Sequence, residues 1–236
     1  MTARRQFLMG MGSLSAAAVA VAAPAAARAG EPRRPRYGMV VDLRKCIGCQ
    51  ACTVGCAYEH QVPAGQWRTV VTVAEVRTDA GAGMVMLPRL CNHCDEPACV
   101  PRCPKQATYK TADGTVQIDA DKCIGCGRCV RACPYGARFI NEDTGKADKC
   151  SFCLHRVAAG LLPACVETCV GGARIFGDLN DPASHVAQIV EREPVKVLLP
   201  DKGTRPNVYY LGLDELVAAR GKDVLADPRL AERAGA

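Results

Sequence analysis

Two segments, VDLRKCIGCQAC and IDADKCIGCGRC, carry one hydrophobic pattern: a short strand running up to a cysteine, a glycine-bearing loop and the start of a helix. The same rhythm follows three later cysteines. CPKQATYKTADGTVQID, CPYGARFINEDTGKADK and CVGGARIFGD each place an alanine four residues past a cysteine and then a strand. Asp113-Gly114 and Thr144-Gly145 mark turns in the first two. CAYEHQVPAGQWRTVVTVAEV departs from the rule and predicts an inserted strand pair, about residues 67–76 and 83–90. Such insertions between repeats sit on one face and touch partners. Further on, Asp181-Pro182 predicts a helix over 182–192, VYYLG a short strand, and residues 213–236 a short helix with a loose end.

The sixteen cysteines turn this pattern into chemistry, because they fall into four groups of four. These are Cys46, Cys49, Cys52 and Cys56; Cys91, Cys94, Cys99 and Cys103; Cys123, Cys126, Cys129 and Cys133; and Cys150, Cys153, Cys165 and Cys169. The first and third have the spacing C-x2-C-x2-C-x3-C, and Pro134 completes the bacterial ferredoxin run for a cubane iron–sulfur cluster. The second and fourth widen one gap and keep x3 before the last cysteine. A short loop wraps three corners of a cubane, and in two-cluster ferredoxins the fourth cysteine serves the partner cluster. Gly48, Gly125 and Gly127 suit loops that turn sharply and aim amide N–H groups at sulfur. Four motifs therefore imply four [4Fe-4S] clusters in an α+β fold: two ferredoxin-like modules related by internal duplication, with the inserted β-hairpin and a C-terminal extension. Disulfide frameworks belong to smaller secreted domains and lack this repeated spacing. Structural zinc sites, the distant alternative, separate two C-x2-C pairs by a longer loop than the first and third groups have.

The N-terminus bears on compartment. Arg4 and Arg5 followed by Gln6, Phe7 and Leu8 form a twin-arginine pattern, a mildly apolar stretch follows, and Ala27-Arg28-Ala29 reads as a cleavage site. Residues 1–29 are therefore expected to be a signal peptide, 30–180 the four-cluster domain and 181–236 the extension. Twin-arginine export carries folded proteins, which suits a chain that receives its clusters in a reducing cytoplasm and works in the periplasm. Pro24 and the low leucine content argue against a retained span of roughly 20 residues, and no later run is long and apolar enough to form one. Association with a membrane is then expected only through a partner.

Removing residues 1–29 takes away three arginines, leaving 27 basic against 24 acidic residues and a formal charge of +3. The basic residues form no block, which argues against a nucleic-acid partner. Lys45, Lys122, Arg128, Arg131 and Lys149 instead lie among the cysteines, where they could offset cluster charge or simply be solvated. Aromatic residues make up only 5% of the chain, so cluster ligation is expected to supply part of the folding energy. His60, His93, His155 and His185 are scattered, and Glu59, Glu96 and Glu167 form no acid–base pair by spacing, so no catalytic residue is assigned.

YGMVVDLRKCIGCQACTVGC, LPRLCNHCDEPACVPRCPKQAT, CPYGARFIN and ADKCSFCLHRVAAGLLPACVETCVGGARIFGD, spanning nearly all of residues 37–179, resemble the iron–sulfur electron-transfer subunits of the molybdopterin oxidoreductases related to dimethyl sulfoxide and polysulfide reductases. The resemblance implies a non-catalytic subunit joining a membrane-embedded quinol-oxidising subunit to a molybdopterin catalytic subunit. Within the family it points to tetrathionate reduction, with polysulfide, thiosulfate, dimethyl sulfoxide and nitrite reduction as alternatives. It further implies that Cys46, Cys49 and Cys52 share a cluster with Cys169, and Cys150, Cys153 and Cys165 one with Cys56. Cys91, Cys94 and Cys99 would pair with Cys133, and Cys123, Cys126 and Cys129 with Cys103. Some relatives have an aromatic residue at the position of Cys126 and a three-iron cluster there; the cysteine implies a complete cubane.

Overall fold

The computed structural model describes residues 33–78 and 81–213, with side chains described outside 73–85. The expected signal peptide and the tail beyond Leu213 lie outside the described residues. In chain order the first elements are β1 (Tyr37–Asp42), α1 (Ala51–His60), β2 (Thr69–Thr78) and β3 (Gly81–Leu90). Next come β4 (Thr108–Lys110), β5 (Val116–Ile118), α2 (Arg128–Ala132), β6 (Phe139–Ile140) and β7 (Ala147–Asp148). The last are α3 (Leu154–Ala158), α4 (Ala164–Glu167), β8 (Arg174–Asp178), α5 (His185–Arg192) and β9 (Val208–Leu211). None of the described helices is long and apolar enough to cross a membrane.

The strands pair so that the end of one cysteine group leads to the start of another. β4 follows Cys103 and pairs antiparallel with β5, which precedes Cys123. β6 follows Cys133 and pairs with β7, just before Cys150. β8 follows Cys169 and pairs with β1, before Cys46. Both predicted turns form, with Gly114 and Gly145 at φ of 81° and 65°. β2 and β3 make a ten-residue antiparallel pair, from Thr69 opposite Leu90 to Thr78 opposite Gly81, where a strand pair was expected.

β1 and β5 stop before the cysteines rather than at them. In each case an aspartate four residues ahead of the cysteine turns the chain. Asp42 Oδ1 accepts from the N–H of Arg44 at 3.1 Å, and Asp119 Oδ1 from that of Asp121 at 3.0 Å. This Asx turn explains why VDLRKC and IDADKC share their aspartate.

β1 reads Met39-Val40-Val41, all fully buried, because both of its faces are covered. Met39 and Val41 face the main core with Val208, Tyr210, Phe152 and several cysteines. Val40 faces the other way and packs with Val186, Leu211, Ile189 and Val190. Ile189 and Val190 share a face of α5 with Val186 at the i, i+3, i+4 spacing of an amphipathic helix. α5 begins at His185 rather than at Pro182: the Asp181 Oδ1 and main-chain carbonyl accept from the N–H groups of Ala183 and Ser184, both at 2.9 Å, closing a turn first. β9 lies parallel to β1 and completes a sheet of order β8-β1-β9.

Candidate iron–sulfur site

Each cysteine group opens in a loop held by left-handed residues. Gly48 and Gln50 take φ of 70° and 62° in the first, and Gly125 and Gly127 take 68° and 67° in the third. The second uses His93 and the fourth Phe152 and Cys153, at 44°, 54° and 50°. A Cβ on Gly125 would lie 2.1 Å from the carbonyl oxygen of Gly145, so the third loop needs glycine both for its φ and for contact with the β6–β7 turn. A Cβ on Gly171 would lie 2.4 Å from the Lys45 carbonyl oxygen, which shows how closely the end of the fourth group approaches the start of the first.

Sulfur-directed amides explain the recurring alanine. Ala107 N–H donates to Cys103 Sγ and Ala173 N–H to Cys169 Sγ, both at 3.2 Å, and Ala137 N–H acts on Cys133. Burial works against the Cys103 thiolate, but the N–H groups of Thr108, Lys105 and Ala107 bring its pKa below the ordinary value. Ala147 and Phe152 likewise donate to Cys123 and Cys150 Sγ at 3.3 and 3.4 Å. The first group breaks the rule: His60 stands at the alanine position, and its Nε2 lies 3.1 Å from Cys153 Sγ. Burial, with the positive charges of Arg68 and His155, pushes His60 down to about 4.

The electrostatic neighbours of the thiols show which groups meet. Burial raises the pKa of Cys46, and the Cys52 and Cys169 thiolates add to that. Burial pushes Cys56 up to about 12, helped by Cys165 and Cys153. It pushes Cys94 up to about 12, with Cys91, Cys133 and Cys99 nearby. Cys123 and Cys129 pack in one apolar cluster with Cys103 beside them, and Cys99 joins it. Cys150 is raised far above its usual value by burial, then by Cys165, Cys56 and Cys91, the last from the second group. Of the sixteen cysteines only Cys49 and Cys126 are exposed.

The residues around these thiols suit an anionic inorganic centre. Arg138 is 3% exposed and gives one hydrogen bond, Nη1 to Thr108 Oγ1 at 2.8 Å. Its Nε and Nη2 have no hydrogen-bond partner among the described residues. Burial opposes its charge, and the thiolates of Cys99, Cys91, Cys129 and Cys133 support it. Buried, unpaired guanidinium donors beside thiols are satisfied when a cluster brings further sulfide acceptors. Arg174 is equally buried, donates to Thr69 Oγ1 at 2.8 Å and has Cys165 and Cys52 as its anionic neighbours. Among the described residues no three His, Cys, Asp or Glu side chains are arranged to hold a single metal ion.

Residues 82–179 match the family described as 4Fe-4S dicluster domain, and residues 44–59 match 4Fe-4S binding domain. A tetrathionate reductase subunit of Salmonella typhimurium is 52% identical over 91% of this chain and 90% of its own. The chain belongs to the iron–sulfur electron-transfer subunits of the molybdopterin oxidoreductases. Other similar members are a tetrathionate reductase subunit of Archaeoglobus fulgidus, 47% identical over 75% of this chain and 83% of its own, and a selenate reductase subunit of Mesobacillus selenatarsenatis, 41% identical over 73% and 70%. As a member of this family the chain binds 4Fe-4S clusters, works beside a catalytic subunit and is itself the electron carrier. Each cluster supplies one-electron chemistry. The polypeptide supplies thiolates, amide donors, buried cations and exclusion of water.

Arg138 and Arg174, the buried cations beside these thiols, are not marked by the cysteine pattern. Their signal is the sulfur-directed alanine, which both follow, in CPYGAR and CVGGAR, five residues past the last cysteine. His93 lies in the loop between Cys91 and Cys94, and its ring is fully buried. Lys45, Lys122, Arg128 and Arg131 are exposed, and of the five basic residues singled out only Lys149 is buried.

Proposed function

We propose that this chain carries four [4Fe-4S] clusters and relays electrons from a membrane-embedded quinol-oxidising subunit to a molybdopterin subunit that reduces tetrathionate. The observation that carries the reading is the set of sixteen cysteines in four complete groups, whose thiols neighbour one another across group boundaries. The ligand sets are Cys46, Cys49, Cys52 with Cys169; Cys150, Cys153, Cys165 with Cys56; Cys91, Cys94, Cys99 with Cys133; and Cys123, Cys126, Cys129 with Cys103. Two ferredoxin-like modules related by duplication account for the matched Asx turns and the repeated alanine-to-sulfur bonds. We assign residues 1–29 to a twin-arginine signal, residues 30–180 to the cluster domain and residues 181–236 to the C-terminal extension, with the mature chain in the periplasm and held at the membrane by its partner.

An electron carrier never touches the terminal acceptor, so the acceptor is argued from relatives rather than from a pocket. Two relatives are named for tetrathionate and one for selenate. The test is to isolate the complex from the periplasmic face of the membrane and drive it with a reduced quinol analogue against tetrathionate, thiosulfate, polysulfide, dimethyl sulfoxide, nitrite and selenate. Tetrathionate is expected to be reduced fastest. A preference for another acceptor would replace the substrate and keep the wire; recovery of the chain only from the cytoplasm, without partners, would overturn the assembly.

A further inference from the structure

Lys149 immediately precedes Cys150 and is 3% exposed. Its Nζ donates to the Cys150 carbonyl at 2.6 Å and to the Val116 carbonyl. These acceptors belong to different parts of the chain, since Val116 is in β5, between the second and third cysteine groups, while Cys150 opens the fourth. Beside them the His93 ring lies on Phe152, with centroids 3.8 Å apart and planes 17° from parallel. Val116 N–H fixes that ring by donating to Nδ1 at 3.0 Å. His93 sits between Cys91 and Cys94, and Phe152 between Cys150 and Cys153, so the second and fourth groups meet across this stack and this lysine.

Among the described residues no carboxylate forms an ion pair with the Lys149 ammonium, and burying a cation without anionic compensation is costly. Burial first, and then the nearby Arg138 charge, hold its pKa below the ordinary lysine value, while Cys91, Cys150 and Cys99 act the other way; the two carbonyl acceptors at Nζ are what suit an ammonium here. Its neighbours place it in a series. Arg174 lies by Cys165 and Cys52, hence between the clusters of the first and fourth groups. Arg138 lies by Cys99, Cys91 and Cys129, hence between those of the second and third. Lys149 occupies the remaining boundary.

We propose that Lys149 is a positioning residue for electron passage between the two inner clusters, those of the second and fourth groups, its buried positive charge raising both of their reduction potentials. The inference rests on the four-cluster assignment above. Reduction adds one negative charge to a cluster, so a nearby cation stabilises the reduced form. The transfer it assists moves one electron from one cluster to its neighbour, with no proton and no bond exchanged.

The test is a potentiometric titration of the anaerobically purified complex, followed by electron paramagnetic resonance, for wild type, Lys149→Met, Lys149→Gln and Lys149→Arg. In both uncharged variants the two inner clusters are expected to titrate at lower potential, their reduced-to-oxidised ratio at fixed ambient potential falling about tenfold, or 59 mV for a one-electron couple. The outer two clusters and the arginine variant are expected to stay near wild type. Selective loss of the inner clusters in the uncharged variants, with the arginine variant intact, would support the same placement. Unchanged inner potentials with all clusters present, or an equal shift of all four, would overturn it. Failure of the four-cluster reading is distinguishable, because it would appear as low iron in the wild type before any titration.

Discussion

Replacing Cys126 with serine is expected to convert one cubane to a three-iron cluster and to cut quinol-driven turnover of the assembled complex by at least roughly tenfold, through an upward shift in that cluster's potential. Cys126 is exposed, on a loop between Gly125 and Gly127, so the change removes a thiol without opening a cavity. The nearby Ile124 also faces outward, at 58% exposure. A three-iron site of higher potential would hold its electron too firmly for the next transfer. Reduction of the acceptor by a small dye that reaches the catalytic subunit directly is expected to stay nearly unchanged. A folding defect, or a catalytic role for this chain, would lower both rates together. Equal loss of both activities, with the complex intact and the other three clusters visible by electron paramagnetic resonance, would reject the wire assignment for this cluster.

Removing the iron is expected to unfold the protein. The described α-helices run from four to ten residues and two of the strands have only two, lengths that are marginal without packing. The packing they find is largely against cysteine: Cys52, Cys91, Cys94, Cys150 and Cys165 lie inside the main apolar cluster, and Cys99, Cys123 and Cys129 inside the second. Burial pushes thiols such as Cys56 and Cys94 up to about 12, so without metal they are neutral, and cluster assembly must release their protons. Anaerobic chelation should therefore abolish the cooperative thermal transition seen by circular dichroism. An iron-free chain that kept native ellipticity and melted cooperatively would show that the polypeptide core suffices.

What could be read from the sequence was mostly local. The cysteine spacing, the turns at Asp113-Gly114 and Thr144-Gly145 and the β2–β3 pair follow from neighbours within a few residues. α5 starts later than Asp181-Pro182 predicts because Asp181 uses its hydrogen bonds on a turn before the helix begins. The parallel pairing of β9 with β1 joins residues far apart in sequence, and no periodicity announces it. The same holds for charge. Lys122 and Lys149 each stand directly before a cysteine, yet Lys122 pairs with Asp119 at the surface while Lys149 is enclosed by β5 and the fourth group. Only the fold separates a solvated lysine from one placed between clusters.

The central claim is that four complete cysteine sets hold four cubanes, and it is tested most directly by metal and sulfide analysis of the anaerobically purified mature chain. The account predicts about sixteen iron and an equal amount of acid-labile sulfide per chain, with the broad visible absorption of iron–sulfur charge transfer. Stoichiometric zinc without that absorption would contradict it.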